Sequence, residues 1–518
     1  MNTIRTLFGF PGGVQLRAHK HASTREPLAS LELPGELVIP LSQHAGDPAQ
    51  PTVTVGETVH RGTVIGRPPG EFSAAVHASS SGIVRAIEER PVPHPSGLPA
   101  PCVVITTDGN DSRDARSPEP MPDWARQSPA LLRRRIEACG VVGLGGAAFP
   151  AAIKLTPAPE AAVELLIVNA IECEPWITCD DVLLREHADQ VIAGACIMRH
   201  TLGARSVVIT LEDTKTVARE AVRTALEAVG ETAIDVISVP LRYPVGGEKQ
   251  LIQVLTDREV PAGGLPLDVG VLCHNAGTVA AVTRAVCHGE PLTERIVTVA
   301  GTGVGAPRNL RVRLGTPVRD LITAAGGYRG AVNRLIVGGP MMGFALGQDT
   351  VPVTKGCNCI LVTEEQAFPA PEPALPCIRC GDCAEACPMS LQPQQLYWHA
   401  RGRDLEALRE DGLFDCIECG ACAYVCPSHL PLVGLYRHVK SEIRAAEQAQ
   451  QFAEEARQRY AFRQARLERE RREQAERRQR KKEALQSRPS DKGQGSKQAE
   501  IQAAVARARQ RKRGGGER

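Results

Sequence analysis

The spacing of hydrophobic positions changes along the chain and divides it into regions of different structure. Residues 33–90 favour short strands with frequent turns, because VTVGETVHRGTVIG and AAVHASSSGIVRAIE alternate apolar and polar positions and are interrupted by glycine. From Leu131 the spacing becomes helical in LLRRRIEACGV and DQVIAGACIMRHTL, with apolar runs LLIVNAI, SVVITLED and AIDVISVP between and after them. Strands that alternate with helices predict a parallel α/β sheet.

The remaining patterns complete a prediction of several domains, of mixed α/β and α+β class. Residues 296–345 are strand-rich with one helix and resemble a β-grasp ligand-binding module. The N-terminal strands resemble the barrel-sandwich domains of lipoyl and biotin carriers, but no lysine occurs between Lys20 and Lys154 to carry a prosthetic group. The predicted domains are a barrel-sandwich-like β domain with linker at 1–130, an α/β domain at 131–290, a β-grasp module at 291–350, a cysteine-rich ferredoxin-like domain at 366–436 and a basic tail, helical and then disordered, at 437–518.

Composition limits the cellular location that we expect. The sequence of 518 residues has no run of eighteen apolar residues, so no membrane-spanning helix is predicted. MNTIRTLFGFPGG also lacks the apolar core of a secretory signal. We therefore expect a cytoplasmic chain, in which the 17 cysteines are metal ligands or reduced thiols rather than disulfides.

Charge is divided unevenly along the chain. Residues 457–518 carry 21 Lys or Arg and 8 Asp or Glu, a local net charge of +13, so the total of +2 leaves −11 for the rest. The tail has few aromatic residues and no folded reading domain, so we expect no nucleic-acid partner. It is predicted to approach anionic lipid headgroups or acidic loops of a partner. A solvated helix without a partner is the alternative.

Two cysteine runs carry the strongest chemical signal. CIRCGDCAEACP at 377–388 returns as CIECGACAYVCP at 416–427, and both have the C-x2-C-x2-C-x3-C-P spacing that binds [4Fe–4S] clusters in bacterial ferredoxins. In that motif the fourth cysteine ligates the other cluster. Structural zinc is the alternative, although zinc has no use for two triplets that each end in C-P. The predicted ligand sets are Cys377, Cys380, Cys383 and Cys426 for one cluster, and Cys416, Cys419, Cys422 and Cys387 for the other.

A glycine-rich stretch in the α/β region suggests a second cofactor. GVVGLGGAAFPAAIKL at 140–155 is weak evidence for a phosphate site by itself, since junctions of helices and strands use glycine anyway. Three further stretches follow it: VNAIECEPWITCDD, YPVGGEKQLI and CHNAGTVAAV. These stretches strengthen the interpretation of the glycine-rich turn as a phosphate site.

Together the four stretches resemble the flavin-binding subunit of respiratory complex I. The resemblance implies an FMN site that accepts electrons from NAD(H). NADH gives up two electrons as a hydride, whereas iron–sulfur cubes accept single electrons, so a flavin fits as the adaptor between them. Leu144, Ile171 and Gly247 depart from that family, which has arginine, aspartate and glutamate there. The residues carried over are Gly143, Gly145, Gly146 and Lys154 around the flavin phosphate, Asn169, Glu172 and Glu174 at the polar edge of flavin and nicotinamide, Tyr243, Gly246 and Glu248 in a closing loop, and Asn275 and Thr278 in the fourth stretch.

The order of all these features resembles one family more closely, the C subunit of the Rnf (Rsx) ion-translocating electron-transport complex. GGVQLRAHK near the N-terminus, YPVGGEKQLI, the β-grasp unit and the double cysteine run carry this resemblance. It implies a peripheral subunit on the cytoplasmic face of a bacterial inner membrane, which carries electrons between NAD(H) and the other subunits through FMN and two [4Fe–4S] clusters. The departures from complex I leave an alternative open: a non-enzymatic iron–sulfur relay without NADH oxidation of its own.

Overall fold

The computed structural model describes residues 6–157, 162–370, 372–487 and 494–513. The strands in chain order are β1 (Ala29–Ser30), β2 (Glu36–Pro40), β3 (Gln50–Pro51), β4 (Thr58–Val59), β5 (Val64–Arg67), β6 (Val76–His77), β7 (Gly82–Pro91), β8 (Pro99–Thr107), β9 (Leu165–Asn169), β10 (Ser206–Glu212), β11 (Ile234–Val239), β12 (Val271–Asn275), β13 (Glu294–Ala300), β14 (Arg308–Arg313), β15 (Val332–Val337), β16 (Phe344–Ala345) and β17 (Cys359–Glu364). The α-helices are α1 (Pro129–Ala138), α2 (Ala151–Lys154), α3 (Cys179–Leu202), α4 (Thr216–Val229), α5 (Glu248–Thr256), α6 (Ala276–Cys287), α7 (Val318–Ala324), α8 (Asp382–Glu385), α9 (Pro393–Gly402), α10 (Leu405–Glu410), α11 (Ala421–Tyr424), α12 (Leu432–Gln486) and α13 (Gln494–Arg513).

A four-stranded parallel sheet forms the middle of the chain, in the order β11-β10-β9-β12. Its strands lie where the apolar runs predicted them, so the expected α/β arrangement is confirmed. Successive residues of β9 enter different cores. Leu166 and Val168 belong to the core that contains α3 and α6, whereas Leu165 and Ile167 belong to the core that contains α5. Because both faces of the strand are covered, it is apolar at consecutive positions.

The strand order creates a crevice at one end of this sheet. The chain leaves β9 through α3 and returns as β10 on one side, whereas β12 lies on the other side of β9. Asn169 and Asn275 are the last residues of β9 and β12 and are partners in register. Ligands of open α/β sheets bind beyond the carboxyl ends of the strands where the order reverses in this way. The crevice at Asn169 and Asn275 is therefore the candidate cofactor site of this sheet.

A mixed sheet of six strands follows, in the order β1-β14-β13-β17-β15-β16. It includes two strands from outside the predicted module at 291–350: β1 pairs parallel with β14, and β17 lies between β13 and β15. These pairings join distant parts of the chain, so the local hydrophobic pattern did not reveal them. Cys357 and Cys359 are fully buried in this region and pack as small apolar side chains.

The N-terminal region is built from two antiparallel sheets, β2-β8-β7-β4 and β3-β5-β6. Their shared core contains aliphatic side chains from both, including Leu37, Ile39, Val59, Ile65 and Val103. This two-layer β structure agrees with the alternating pattern of residues 33–90.

The chain divides into two compact units, residues 1–440 and residues 441–518. The described part of the second unit is helical, whereas the sequence predicted that the helix gives way to disorder. Ion pairs four residues apart support the helix, such as Arg459 with Glu455 and Arg472 with Glu476. The predicted boundary between 436 and 437 falls inside α12. None of the described helices combines the length and apolar character that crossing a bilayer requires.

The contact between α3 and α6 depends on Gly194. A Cβ added to Gly194 would lie 2.0 Å from the carbonyl oxygen of Val279. We therefore expect Gly194→Ala to destabilise the fold by about 1–3 kcal/mol, as overpacking does, and to lower the Tm measured by circular dichroism. Gly434 in α12 is exposed, and a Cβ there meets nothing within 4 Å, so Gly434→Ala is the matched control with an unchanged or higher Tm. Equal Tm values for the two variants would contradict the close helix contact.

Candidate cofactor sites

Four thiols line the first cysteine cavity, which has a volume of about 390 Å³. Cys377, Cys380 and Cys383 come from the first run, and Cys426 closes the cavity from the second. Cys380 is exposed and the other three are half-buried. Ile378, 67% exposed, also lines the cavity, so this set of thiols is accessible from solvent.

The other four thiols surround a second cavity that is more shielded. Cys416, Cys419 and Cys422 come from the second run and Cys387 from the first, and all of them except Cys416 are buried. Burial raises the pKa of Cys419 to about 11 and raises the pKa of Cys422 above its ordinary value. Without a metal the thiols of Cys419 and Cys422 stay protonated at neutral pH, whereas a coordinating metal deprotonates them.

The two sets therefore cross, since each takes three thiols from one run and its fourth from the other. These are the sets that the cysteine spacing predicted. Four thiolates per set are the donors that [4Fe–4S] cubes require, and the chemistry of both cavities fits such clusters.

The repeat continues beyond the cysteines into the helix that follows each run. Corresponding cysteines lie 39 residues apart, and the same offset relates Tyr397 in α9 to Tyr436 in α12 and Arg401 to Lys440. Tyr436 is buried and donates a hydrogen bond of 2.5 Å to the carbonyl of Pro393. The unit that repeats is thus a cysteine run together with its helix.

The glycine-rich loop lies against the end of β12 in the parallel sheet. A Cβ added to Gly145 would be 3.3 Å from the Cβ of Asn275. Gly145, Gly146 and Ala147 are exposed, and within the described parts of the chain their amides donate no hydrogen bond. Gly146 has a φ of 112°, a conformation that favours glycine. Free amides of this kind form a site for an anion such as phosphate.

Buried side chains hold the loop from both sides of Leu144. The Leu144 amide donates to Thr278 Oγ1 at 2.8 Å, and the Leu144 carbonyl accepts from Arg295 at 3.2 Å. The Gly143 amide donates to the carbonyl of Phe149 and closes the loop. Arg295 was not predicted, because it comes from β13 of the other sheet and no local motif marks it.

The two asparagines at the strand ends organise the loops around the crevice. Asn169 donates through Nδ2 to the carbonyl of Gly246 at 2.9 Å and accepts from the amide of Ile171. Asn275 Oδ1 accepts from the first amides of α6, while its Nδ2 donates to the carboxylate of Asp180 at 2.5 Å. Both asparagines are half-buried, so part of each stays open to a ligand.

A lysine stands beside the same crevice. Lys154 Nζ contacts the Glu248 carboxylate and donates to the carbonyl of Cys273 at 2.6 Å, two residues before the end of β12. Lys154 and Glu248 are half-buried. An ammonium, free amides and two carboxamides fit the phosphate and the polar edge of FMN. The predicted residues that lie at or beside the crevice are Gly143, Gly145, Gly146, Lys154, Asn169, Gly246, Glu248, Asn275 and Thr278.

Glu172 is placed differently from the sequence prediction, which put it at the polar edge of the flavin. Its buried carboxylate accepts from Lys215 Nζ at 2.5 Å and from the amide of Asp180 at 2.8 Å, at the start of α3. Its carbonyl accepts from Lys20. Glu172, Cys179 and Asp180 have possible metal-binding atoms within 4.8 Å of one another. The lysine and the helix amides already occupy this carboxylate, so Glu172 is a structural helix cap.

Glu174 and Tyr243 also contact protein rather than the crevice. The Glu174 carboxylate accepts from the amides of Met341 and Met342, and burial raises its pKa to about 7. Tyr243 is 1% exposed, and its hydroxyl donates to the carbonyl of Cys419 at 2.6 Å. Tyr243 thus joins the flavin-domain loop to the second cysteine set, a role that the resemblance to complex I did not indicate.

Comparison with family models agrees with this arrangement. The RnfC barrel sandwich hybrid domain matches residues 8–110, and the Nuo51 FMN-binding domain matches residues 136–284. The SLBB domain matches residues 296–345, and the 4Fe-4S dicluster domain matches residues 373–430. The four matches fit the expected multidomain α/β layout. The cofactors of the chain are FMN and two [4Fe–4S] clusters.

The chain is also similar over most of its length to proteins named as C subunits of ion-translocating oxidoreductase complexes. The relative from Pseudomonas aeruginosa is 48% identical over 467 residues, which are 90% of this chain and 60% of the relative. The relative from Vibrio cholerae is 43% identical over 508 residues, which are 98% of this chain and 64% of the relative. The relative from Yersinia pestis is 44% identical over 465 residues, which are 90% of this chain and 74% of the relative. The chain thus spans less than two thirds of the length of the first two relatives. It belongs to the family of C subunits of ion-translocating oxidoreductase complexes.

Proposed function

We propose that this chain oxidises NADH at FMN in the crevice of the parallel sheet and passes single electrons through two [4Fe–4S] clusters to the other subunits of an ion-translocating complex. One observation carries the proposal: the flavin domain and the second thiol set are in direct contact through the Tyr243 hydroxyl and the Cys419 carbonyl. FMN supplies the conversion from two-electron to one-electron transfer.

The residues around the crevice would bind and orient the flavin. The exposed amides of Gly145 and Gly146 and the Lys154 ammonium would hold its phosphate, and the carboxamides of Asn169 and Asn275 would bind its polar edge. Glu248 keeps Lys154 in place through their ion pair. Gly143 and Thr278 fix the shape of the loop, and Gly246 allows a close approach of the next loop, because a Cβ there would be 3.0 Å from Cys173 Sγ.

The contacts of the two thiol sets support an order for the clusters. Cys387, Cys416, Cys419 and Cys422 would hold the cluster that accepts electrons first, because their loops are bonded to the flavin domain. Gln250 in α5 donates to the carbonyl of Pro388 at 3.3 Å, directly after Cys387. Cys377, Cys380, Cys383 and Cys426 would hold the cluster that passes electrons to a partner, because their cavity is open to solvent.

The proposed location is the cytoplasmic side of the inner membrane, where the chain is held peripherally by the other subunits. The names of the relatives place them in an ion-translocating complex, which supports subunits of such a complex as partners. The basic residues of 457–518, with a net charge of +13, add attraction to anionic lipid headgroups or to acidic loops of a partner.

NADH oxidation separates this proposal from the iron–sulfur relay. We expect anaerobic addition of NADH to the purified full chain to bleach the absorbance of its bound flavin. Cys419→Ser is the control, because it removes a proposed cluster ligand and leaves the crevice residues unchanged, so its flavin still bleaches. Bound FMN that NADH does not bleach would favour the relay.

The crossed ligand sets predict that cysteine variants from the same run remove different clusters. Wild-type protein is expected to hold about eight irons per chain, and loss of one cluster leaves about four. Cys387→Ser and Cys419→Ser should remove the same cluster signal in electron paramagnetic resonance (EPR). Cys383→Ser, in the same run as Cys387, should remove the other signal. Loss of one common signal from Cys383→Ser and Cys387→Ser would contradict the crossing, and zinc in place of iron would overturn both cluster assignments.

The clamp on the glycine-rich loop predicts weaker FMN binding when Thr278 loses its hydroxyl. Thr278→Val removes the acceptor of the Leu144 amide, a loss of about 1–1.5 kcal/mol, so the Kd of FMN should rise about tenfold. Thr283→Val is the matched control: Thr283 is also buried in α6, but it donates to the carbonyl of Gln190. Fluorescence titration of the deflavinated chain measures both. Equal Kd values for the two variants would show that the clamp does not shape the flavin site.

A further inference from the structure

The two cysteine runs carry opposite charges at equivalent positions. Arg379 and Glu418 each stand directly before the second cysteine of their run. Both have left-handed backbone, with φ values of 59° and 58°. Because the loops share this conformation, the two side chains leave the backbone from equivalent points beside their thiol sets. The halves therefore differ here in charge rather than in backbone shape.

Two cations from α12 hold Glu418. Lys440 Nζ lies 2.9 Å from one carboxylate oxygen, and Arg437 Nε lies 2.9 Å from the other. Lys440 also donates to the carbonyl of Cys416 at 2.6 Å. Lys440 is only 4% exposed. Two cations thus share one carboxylate beside the second thiol set, and Lys440 is the one bonded directly to a ligand residue of that set.

The first half of the repeat has no such arrangement. Arg401 occupies the position equivalent to Lys440, but its guanidinium lies 5.8 Å from the centre of the Tyr397 ring and donates to the Tyr397 hydroxyl. Trp398 stands where the second half has Arg437. Arg379 is exposed, so water and salt screen its charge.

We infer that Lys440 raises the reduction potential of the second cluster, with Arg437 adding to this effect and Glu418 limiting it. This inference rests on the proposed function, since it requires a [4Fe–4S] cluster on the second thiol set. Reduction adds one electron to the cluster, and no bond forms or breaks. A buried ammonium bonded to the backbone of the ligand residue Cys416 stabilises that added negative charge. Lys440 thereby offsets the burial of this cluster, which by itself disfavours added charge.

Redox potentiometry followed by EPR tests this on the anaerobically purified full chain. Lys440→Met should move one of the two reduction waves to a lower potential and leave the other in place. Glu418→Gln should move the same wave to a higher potential. The double variant changes the net charge by zero, so its wave should return towards the wild-type position. Arg401→Met is the matched control from the other half and should leave both waves unchanged.

The outcomes separate this inference from the function on which it rests. Two clusters with unchanged waves in Lys440→Met and Glu418→Gln would overturn the role of Lys440 while the cluster assignment stands. Shifts of the same wave in the same direction for Lys440→Met and Glu418→Gln would also overturn it. The two variants remove opposite charges, so an effect of charge must move the potential in opposite directions. If Lys440→Met assembles only one cluster, Glu418→Gln becomes the deciding variant. A shift of its wave to a higher potential supports the inference, and an unchanged wave overturns it. Wild-type protein without iron would instead contradict the proposed function.

Discussion

The arrangement of residues 1–440 depends on the close packing of the Gly12–Gly13 backbone against the second thiol set. Gly12 and Gly13 pass between Cys387 and Tyr243: a Cβ on Gly12 would lie 2.4 Å from the Cys387 backbone, and one on Gly13 would lie 2.7 Å from the Tyr243 carbonyl. The Gly13 amide donates to the carbonyl of Ala386 at 2.9 Å. The N-terminal segment is thus fixed between the flavin domain and the cluster loop. In the proposed electron path, this segment would keep the flavin site and the second cluster close together.

The glycine-rich loop shows the same dependence on distant parts of the chain. Thr278 holds it from the parallel sheet, and Arg295 holds it from the six-stranded sheet. The N-terminal β domain adds a bond from the Ala45 amide to the carbonyl of Ala148 at 3.0 Å. Fully buried Lys355 donates to the carbonyls of Ala75 and Gly140 and so ties that domain to the start of the loop. Three domains therefore shape the loop, and the N-terminal β domain contributes to it through backbone contacts.

Sequence reasoning worked where the chemistry is local. The cysteine spacing alone indicated which thiols meet, because ligands separated by two or three residues follow from loop geometry. It worked less well where a distant residue competes for a side chain. Glu172 follows the motif of a flavin site, but Lys215 and the start of α3 take its carboxylate, and no local pattern reveals that competition. No local pattern indicates that Arg295 contacts the glycine-rich loop or that β17 belongs to the six-stranded sheet, because both depend on contacts between remote segments.

The duplicated halves of the cluster domain have diverged in the property that an electron path requires. A centre that receives electrons from the flavin must lie against it and be shielded from water, whereas a centre that delivers them must approach the surface to reach a partner. Three of the four thiols in the second set are buried and its loop is bonded to Tyr243, while the first set has exposed Cys380 with Ile378 and Trp398 around its cavity. Under the proposed order, burial would make reduction of the receiving centre harder, so that half would need a compensating charge more than the exposed half. The bond from Lys440 to the Cys416 carbonyl supplies a charge at the shielded set, whereas the equivalent Arg401 contacts Tyr397 instead.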